Sequence, residues 1–288
     1  MKRPSRYVHD DWLGYVPRPN HVEPGLTIGS AGLRMTGTAT AKVPDQSPIL
    51  AVGDSFTFGE EVTDTETWPS ALQDRTGLSV LNGGVSGYGF DQIVLRAEKL
   101  AKIHNPGIIV VSFIADNIER TEMRRLWWRN KPWFAMDGGE LKVRAVPVPR
   151  SPAIPRSVRR AELLLRKLGP AAQHWLGYHV RVHPRGTGML IAMGLIERLA
   201  LLRRTAGARI VLVAAYDAQA WSNPVAADRQ RAMTGKLVDC AARCGIEVLD
   251  SFSLFASAPR PERLYKTAHM NERGNRMIAS LVGAALTR

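Results

Sequence analysis

The sequence predicts an α/β fold of three layers, in which a mainly parallel, five-stranded sheet is covered by helices on both faces. Short runs of Val, Ile and Leu with little polar alternation are typical of strands buried on both faces, and longer segments with helical periodicity separate them. Strands that alternate with helices favour a parallel sheet. The chain has 288 residues, of which 45% are hydrophobic, so we expect one large core and one elaborated domain.

The predicted elements follow one another in a regular order along the chain. Strands are predicted at 48–52, 79–82, 108–113, 209–214 and 246–249. Helices are predicted at about 66–76, 90–103, 189–206, 224–243 and 272–286. The main domain therefore spans residues 47–288, with residues 118–188 inserted between its third and fourth strands.

Residues 1–46 precede this domain and are rich in Pro, Gly and polar residues. They include Trp12, Leu13 and Tyr15, and large apolar side chains are scarce in disordered tails. We therefore expect an ordered N-terminal extension that packs on the core, the alternative being a flexible tail.

The first predicted strand runs directly into a small, polar turn. Residues 49–59 read Ile-Leu-Ala-Val-Gly-Asp-Ser-Phe-Thr-Phe-Gly. Gly53 permits a sharp turn, Asp54 can cap the segment that follows, and Ser55 is left at the carboxyl edge of the sheet, where open α/β folds bind ligands. Ser55 is therefore the candidate nucleophile, and the alternative is that Asp54 and Ser55 only cap a helix.

A histidine near the C-terminus supplies a candidate partner for this serine. His269 lies just before the last predicted helix, and residues 269–274 read His-Met-Asn-Glu-Arg-Gly. Together with Gly53-Asp54-Ser55 and the glycine-bearing segment 82–89, this motif resembles the SGNH/GDSL hydrolase superfamily. Residues 112–117, Ser-Phe-Ile-Ala-Asp-Asn, fall where the family's third loop usually reads Gly-x-Asn-Asp. The resemblance covers about residues 47–117 and 208–285 and implies the family's flavodoxin-like fold.

The resemblance implies serine-dependent acyl chemistry without a cofactor. A serine hydroxyl is a poor nucleophile unless an imidazole takes its proton during attack on an ester and later returns it to the leaving group. Ser55 and His269 would fill these two roles. The oxyanion would be bound by the backbone N–H groups of Ser55 and Gly87 and by a side-chain amide of the third loop, Asn117.

Two positions depart from the family pattern. Lys266 stands where an aspartate usually orients the histidine ring, and it could instead hold an anionic substrate. The orienting acid could be Asp116, Glu262 or Asp250, a backbone carbonyl could replace it, or the dyad could act without an acid at a lower rate. In the third loop the usual Asn-Asp order is reversed. An ungapped alignment puts Asp116 at the oxyanion position, where a carboxylate would repel the oxyanion, unless the loop shifts by one residue so that Asn117 donates.

The inserted segment 118–188 carries most of the positive charge. It holds 15 Lys and Arg residues against five Asp and Glu, a surplus of ten in a chain with a net charge of +13. A hairpin turned at Asp-Gly-Gly is predicted at 134–144, and a basic helix is predicted at about 156–168. Arginines interleaved with Trp127, Trp128 and Trp133 suit sugar rings, anionic glycans or lipid headgroups, although the tryptophans could instead pack this lid-like insertion on the core. Nucleic acid is disfavoured because no nucleic-acid motif accompanies the charge.

Composition argues against several other classes of protein. No apolar run reaches about eighteen residues and the N-terminus lacks the apolar core of a signal peptide, so we expect a cytoplasmic protein, or an exported one if its signal is missing from this sequence. Cys240 and Cys244 are too few for a metal site, and their helical spacing rarely suits a disulfide. We expect core thiols in a reducing compartment and no metal ion.

These patterns favour a serine esterase or acyltransferase, and the resemblance implies small acyl groups of a carbohydrate or glycolipid as its substrates. The competing hypothesis is a catalytically weakened protein that uses the cleft and the Trp/Arg insertion to bind a glycan or an anionic lipid. Lys266 and Asp116 are the residues that favour this second hypothesis.

Overall fold

The computed structural model describes residues 5–37, 47–154, 164 and 167–287. At its centre lies a sheet of five strands that all pair in parallel. In spatial order the strands are Glu247–Asp250, Arg209–Ala214, Ile108–Phe113, Ile49–Val52 and Val80–Asn82. The predicted α/β fold with a parallel five-stranded sheet is confirmed, and each strand ends within one residue of its predicted bounds.

Helices cover both faces of this sheet. Consecutive strand residues point to opposite sides, and because these strand residues are apolar, each face needs a covering layer. Leu50 and Val52 belong to one buried core, whereas Ile49 and Ala51 belong to the other. The first core is closed by the helices Phe90–His104, Gly188–Ala206 and Pro224–Arg243. The second is closed by the helices Trp68–Thr76, Phe252–Ala256 and Glu272–Leu286.

The strand order creates a switch point at the carboxyl edge of the sheet. From Ile49–Val52 the chain passes to the edge strand Val80–Asn82 and then crosses to Ile108–Phe113 on the other side. The loops after the first and third strands therefore diverge and leave a crevice between them, where ligands of open α/β sheets bind. Ser55 follows the first of these strands and the helix Ala115–Arg120 follows the third.

The N-terminal extension contacts the core through its apolar residues. It forms two antiparallel pairs, Tyr7–Asp10 with Gly14–Pro17 and Val22–Glu23 with Leu26–Thr27. Leu13 and Tyr15 are buried within the main core. The Tyr15 hydroxyl also donates to the carbonyl of Ser86 at 3.0 Å, so the extension holds the glycine-bearing loop of the sheet edge in place.

The insertion begins within the helix Ala115–Arg120 and includes a small three-stranded sheet of its own. Its other elements are Met123–Leu126, Arg129–Asn130, Trp133–Asp137, Glu140–Arg144, Pro170–Trp175 and Val180–Arg181. The predicted hairpin is present, turned at Gly138 and Gly139. Lys131 fixes the insertion to the core through a buried ion pair with Asp91. Most of the predicted basic helix at 156–168 lies outside the described residues.

Other features bear on the excluded classes. In the part of the chain that the structure describes, no helix is long and apolar enough to cross a membrane. Cys240 and Cys244 are free thiols that pack, half-buried, against the main core. The described residues contain no group of His, Cys, Asp and Glu side chains arranged to hold a metal ion.

Candidate active site

Ser55 and His269 meet at the carboxyl edge of the sheet, although 214 positions separate them in sequence. Ser55 begins the one-turn helix Ser55–Phe58, and His269 lies in the loop before the helix Glu272–Leu286. The distance from His269 Nε2 to Ser55 Oγ is 2.9 Å, which is a hydrogen bond. This is the geometry in which an imidazole can take the proton of an attacking serine.

The short helix presents Ser55 because its neighbours permit a sharp turn at both ends. A Cβ atom on Gly53 would lie 2.1 Å from Thr57 Oγ1, so only glycine fits there. The Asp54 side chain accepts from Phe56 N at 3.0 Å and caps the helix start. At the other end Gly59 adopts a left-handed φ of 87°, which turns the chain back towards the histidine loop.

The carboxylate beside His269 belongs to Glu61, a residue that the sequence analysis did not single out. Glu61 Oε1 lies 3.4 Å from His269 Nδ1, on the side of the ring opposite Ser55. Glu61 Oε2 accepts from the backbone N–H of Thr267 at 2.9 Å and of Ala268 at 3.4 Å. Partial burial acts to raise the pKa of Glu61, but these hydrogen bonds outweigh it and lower the pKa below its ordinary value. An ionised carboxylate thus lies where it can orient the imidazole.

Lys266 supports the same carboxylate indirectly. The Lys266 Nζ donates to the backbone carbonyl of Glu61 at 2.6 Å. The backbone N–H of Lys266 donates to the backbone carbonyl of His269 at 2.9 Å. Glu61 has a φ of 68°, a left-handed value that a glutamate rarely adopts, so the loop needs such anchors. The lysine that replaces the family's aspartate therefore holds the loop that brings a different acid to the ring.

The third loop is built differently from the sequence-based hypotheses. Asn117 is fully buried, and its amide donates to Asp54 Oδ2 and to the carbonyl of Tyr88, both at 2.9 Å. These two bonds use both hydrogens of the amide. Asn117 therefore links its own loop to the loop of Asp54 and to the loop of Tyr88, and its amide has no hydrogen left to donate to an oxyanion. Asp54 is 1% exposed and also accepts from Arg120 Nη1 at 3.2 Å, which makes it a buried positioning group rather than a group that faces ligand.

Asp116 lies at the surface, apart from the Ser55 and His269 pair. Its carboxylate pairs with Arg229 at 3.5 Å and with Arg120 at 3.7 Å. The described residues place Glu61 as the ion-pair partner of His269, in place of Asp116, Glu262 or Asp250. Asp116 also does not line the cavity at Ser55, so its charge does not face the place where an oxyanion would form.

Two backbone N–H groups remain for a developing negative charge. Gly87 has a φ of 82° and lines the same cavity as Ser55 and His269. Within the described part of the chain, neither the N–H of Ser55 nor that of Gly87 donates to a protein acceptor. Backbone N–H groups that are free to donate into a site can stabilise an oxyanion.

The cavity around Ser55 has a volume of about 680 Å³, which falls in the range of small-molecule sites. The extension, the glycine-bearing loop and the insertion all contribute to its wall. Its lining includes the residues Tyr7, Glu60, Arg120, Trp127 and Arg129. The basic insertion thus faces the candidate nucleophile with part of its aromatic and cationic surface.

The sequence did not predict that Glu61 lies beside His269, because no periodicity or motif spacing distinguishes this residue. The one available signal was its position six residues after Ser55, beyond a glycine able to reverse the chain. The reversal depends on two left-handed residues, Gly59 and Glu61, and only the first has a residue type that suggests it.

Comparison with known proteins agrees with this architecture. Residues 51–277 match the model of the GDSL-like lipase/acylhydrolase family. A search of the curated proteins finds no match. Among solved structures, the chain is similar to the lipase/acylhydrolase from Enterococcus faecalis, with 12% identity over 83% of this chain and 95% of that one and a TM-score of 0.50.

It is also similar to LAE5, an alpha/beta hydrolase enzyme from the metagenome of Lake Arreo, Spain. That match has 15% identity over 83% of this chain and 94% of that one, with a TM-score of 0.52. Identities this low show only that the fold is shared. The match to the family model covers residues 51–277 and shows the family. The chain therefore belongs to the GDSL-like lipase/acylhydrolase family.

Proposed function

We propose that this family member is a serine esterase in which Ser55 is the nucleophile, His269 the general base and Glu61 the acid that orients the base. The observation that carries the proposal is the 2.9 Å hydrogen bond between Ser55 Oγ and His269 Nε2. The Glu61 carboxylate on the opposite ring nitrogen supports it. A serine, an imidazole and a carboxylate in this order form the arrangement that activates a hydroxyl for acyl transfer.

The reaction follows from these positions. Ser55 Oγ attacks the ester carbonyl carbon as His269 Nε2 takes the hydroxyl proton, and the oxyanion forms towards the N–H groups of Ser55 and Gly87. The tetrahedral intermediate collapses to an acyl-serine, and the alcohol leaves with the proton from His269. Water then attacks the acyl-serine by the same route, which releases the acid and restores the serine. A sugar hydroxyl in place of water would give acyl transfer.

For the substrate, we propose small acyl groups on a carbohydrate or glycolipid. The cavity is open and mixed in character, with polar groups such as Glu60 and Ser86 beside the ring of Trp127. Sugar rings use both kinds of contact, since their hydroxyls form hydrogen bonds and their C–H faces stack on aromatic rings. The Glu61 carboxylate beside His269 favours the esterase over a weakened binding protein, because the lysine at position 266 does not leave the ring without a neighbouring acid.

A fluorophosphonate probe tests the nucleophile directly. The wild-type protein should be labelled on the peptide that contains Ser55, and Ser55→Ala should not be labelled. His269→Ala should be labelled far more slowly, because its serine lacks the base. Ser86→Ala is the matched control, since it removes another hydroxyl of the same cavity and should retain labelling at Ser55. Absence of labelling in the folded wild type, or labelling elsewhere, would contradict the proposal.

A further inference from the structure

Two tryptophans form a two-residue turn in the insertion. Both adopt a left-handed backbone conformation, which is unfavourable for bulky residues. Trp127 and Trp128 connect the strands Met123–Leu126 and Arg129–Asn130, in which Leu126 pairs with Arg129. Their φ angles are 48° and 59°. Turns with two left-handed residues favour Asn and Gly, and bulky residues held in such conformations cluster at functional sites. This turn is part of the cavity wall.

The turn brings an aromatic ring against the loop that carries the candidate oxyanion donor. A Cβ atom on Gly87 would lie 2.5 Å from Trp127 Cζ3, so the ring lies directly on the glycine. Trp128 packs on Tyr178 with ring centroids 4.7 Å apart, and this contact fixes the other half of the turn. The residue that follows the turn, Arg129, is thereby held in the wall of the cavity that contains Ser55.

Two tyrosines of the N-terminal extension set the orientation of Arg129. Its Cζ atom lies 4.6 Å from the ring centroid of Tyr7 and 4.9 Å from that of Tyr15. Burial raises the pKa of Tyr15 to about 12, so this ring meets the guanidinium as a neutral phenol. The two ring centroids lie only 5.5 Å apart, so both rings contact the guanidinium from the same side, and a guanidinium has enough N–H donors to form directed hydrogen bonds elsewhere.

The other two arginines of the cavity are already neutralised. Arg6 pairs with Glu23 at 2.6 Å and with Glu60 at 3.0 Å, and Arg120 pairs with Asp54 at 3.2 Å. By contrast, no carboxylate of the described residues lies within ion-pair distance of Arg129. Arg129 is thus the arginine of this cavity lining that has no ion-pair partner among the described residues.

We propose that Arg129 binds an anionic group, a carboxylate or a phosphate, carried by the non-reacting part of the ester substrate. This inference rests on the proposed esterase function and names its substrate class. A planar guanidinium binds either anion through two parallel N–H···O bonds. Trp127 lines the same cavity as Arg129 and contacts the Gly87 loop, so we expect its ring to contact the part of the substrate that joins the anion to the ester.

The kinetic test compares esters of equal size and different charge. The substrates are 4-acetoxybenzoate, its neutral analogue 4-acetoxybenzamide, and 4-acetoxyphenyl phosphate, which separates carboxylate from phosphate recognition. Arg129→Gln should lower the ratio of kcat/KM for an anionic ester to that for the neutral ester by about tenfold or more, as expected for a hydrogen bond to a charged group. Arg144→Gln, which removes an insertion arginine paired with Asp137, should leave the ratio unchanged. An unchanged ratio in Arg129→Gln would overturn the inference.

A binding measurement keeps the inference separate from the esterase proposal. Titration calorimetry with benzoate, benzamide and inorganic phosphate measures binding without turnover. It therefore tests Arg129 even if the protein hydrolyses none of the esters and the esterase proposal fails. The wild type should bind benzoate or phosphate more tightly than benzamide, and added salt should weaken the preference. Equal binding of benzoate and benzamide, with no binding of phosphate, would overturn the inference even if Arg129→Gln did not fold.

Discussion

Replacing Glu61 by glutamine tests the least expected part of the candidate site. The change removes the negative charge beside His269 and keeps the size of the side chain. Two unit charges at the observed 3.4 Å interact by about 1 kcal/mol in water and by about 5 kcal/mol at an effective dielectric constant near 20. The side chains of His269 and Glu61 are 22% and 29% exposed, so solvent screens part of the attraction, and we take an energy between these limits, about 2 kcal/mol.

That energy corresponds to a decrease of about thirtyfold in kcat, because the carboxylate stabilises the imidazolium that forms in the transition state. The assay is the steady-state hydrolysis of 4-nitrophenyl acetate, with circular dichroism to verify folding. Glu61→Ala should behave similarly, which would show that the lost group is the charge rather than a misplaced amide. Asp116→Asn is the matched control, since Asp116 pairs with Arg229 and Arg120 instead. Full activity in Glu61→Gln, or a larger loss in Asp116→Asn, would refute the assignment.

Three further predictions concern the groups around this site. Lys266→Met should lower kcat by several-fold, because the side chain anchors the backbone of the orienting glutamate; unchanged kinetics would contradict that role. Lys131→Met should destabilise the protein by about 3–5 kcal/mol in urea unfolding, since it leaves Asp91 buried without its cation; a loss below about 1 kcal/mol would contradict this. The hydrogen bond with Arg6 lowers the pKa of Glu23 from 4.5 to about 2. Ionised Glu23 therefore stabilises the folded protein fully at pH values above 4.5, its pKa in the unfolded chain. This stabilisation is lost as the pH falls from about 4.5 to about 2. The stability difference between wild type and Glu23→Gln should therefore shrink between about pH 4.5 and pH 2, and a constant difference would count against the ion pair.

The sheet and the meeting of Ser55 with His269 could be predicted because their signals are local. A strand buried on both faces needs an uninterrupted apolar run, and Ile49–Val52 is such a run, followed at once by the turn that exposes Ser55. His269 was identified from its resemblance to a family motif, residues 269–274, which spans the start of the last helix, where Asn271 is the cap. Parallel strands then bring their carboxyl ends to one edge, so the meeting of these two residues follows from the topology.

The position of Glu61 beside His269 and the arrangement of the third loop could not be predicted, because they depend on backbone geometry without a sequence signal. Glu61 reaches the ring only because its own φ is left-handed, which its residue type does not suggest. A shift of the third loop by one residue would let Asn117 donate to the oxyanion, whereas in the structure its helix begins at Ala115 and its amide donates to Asp54. The Trp127 turn was also beyond prediction, since bulky residues are among the least expected in such a turn.

The most direct test of the account is to look for the covalent acyl-enzyme. The protein is mixed with 4-nitrophenyl acetate, quenched in acid during the first turnovers, and examined by intact-mass and peptide mass spectrometry. We predict one acetyl group per chain on the peptide containing Ser55 in the wild type, with a burst of nitrophenol of matching size, and neither signal in Ser55→Ala. Hydrolysis that proceeds equally well in Ser55→Ala, or an acetyl group found on another residue, would contradict the central claim.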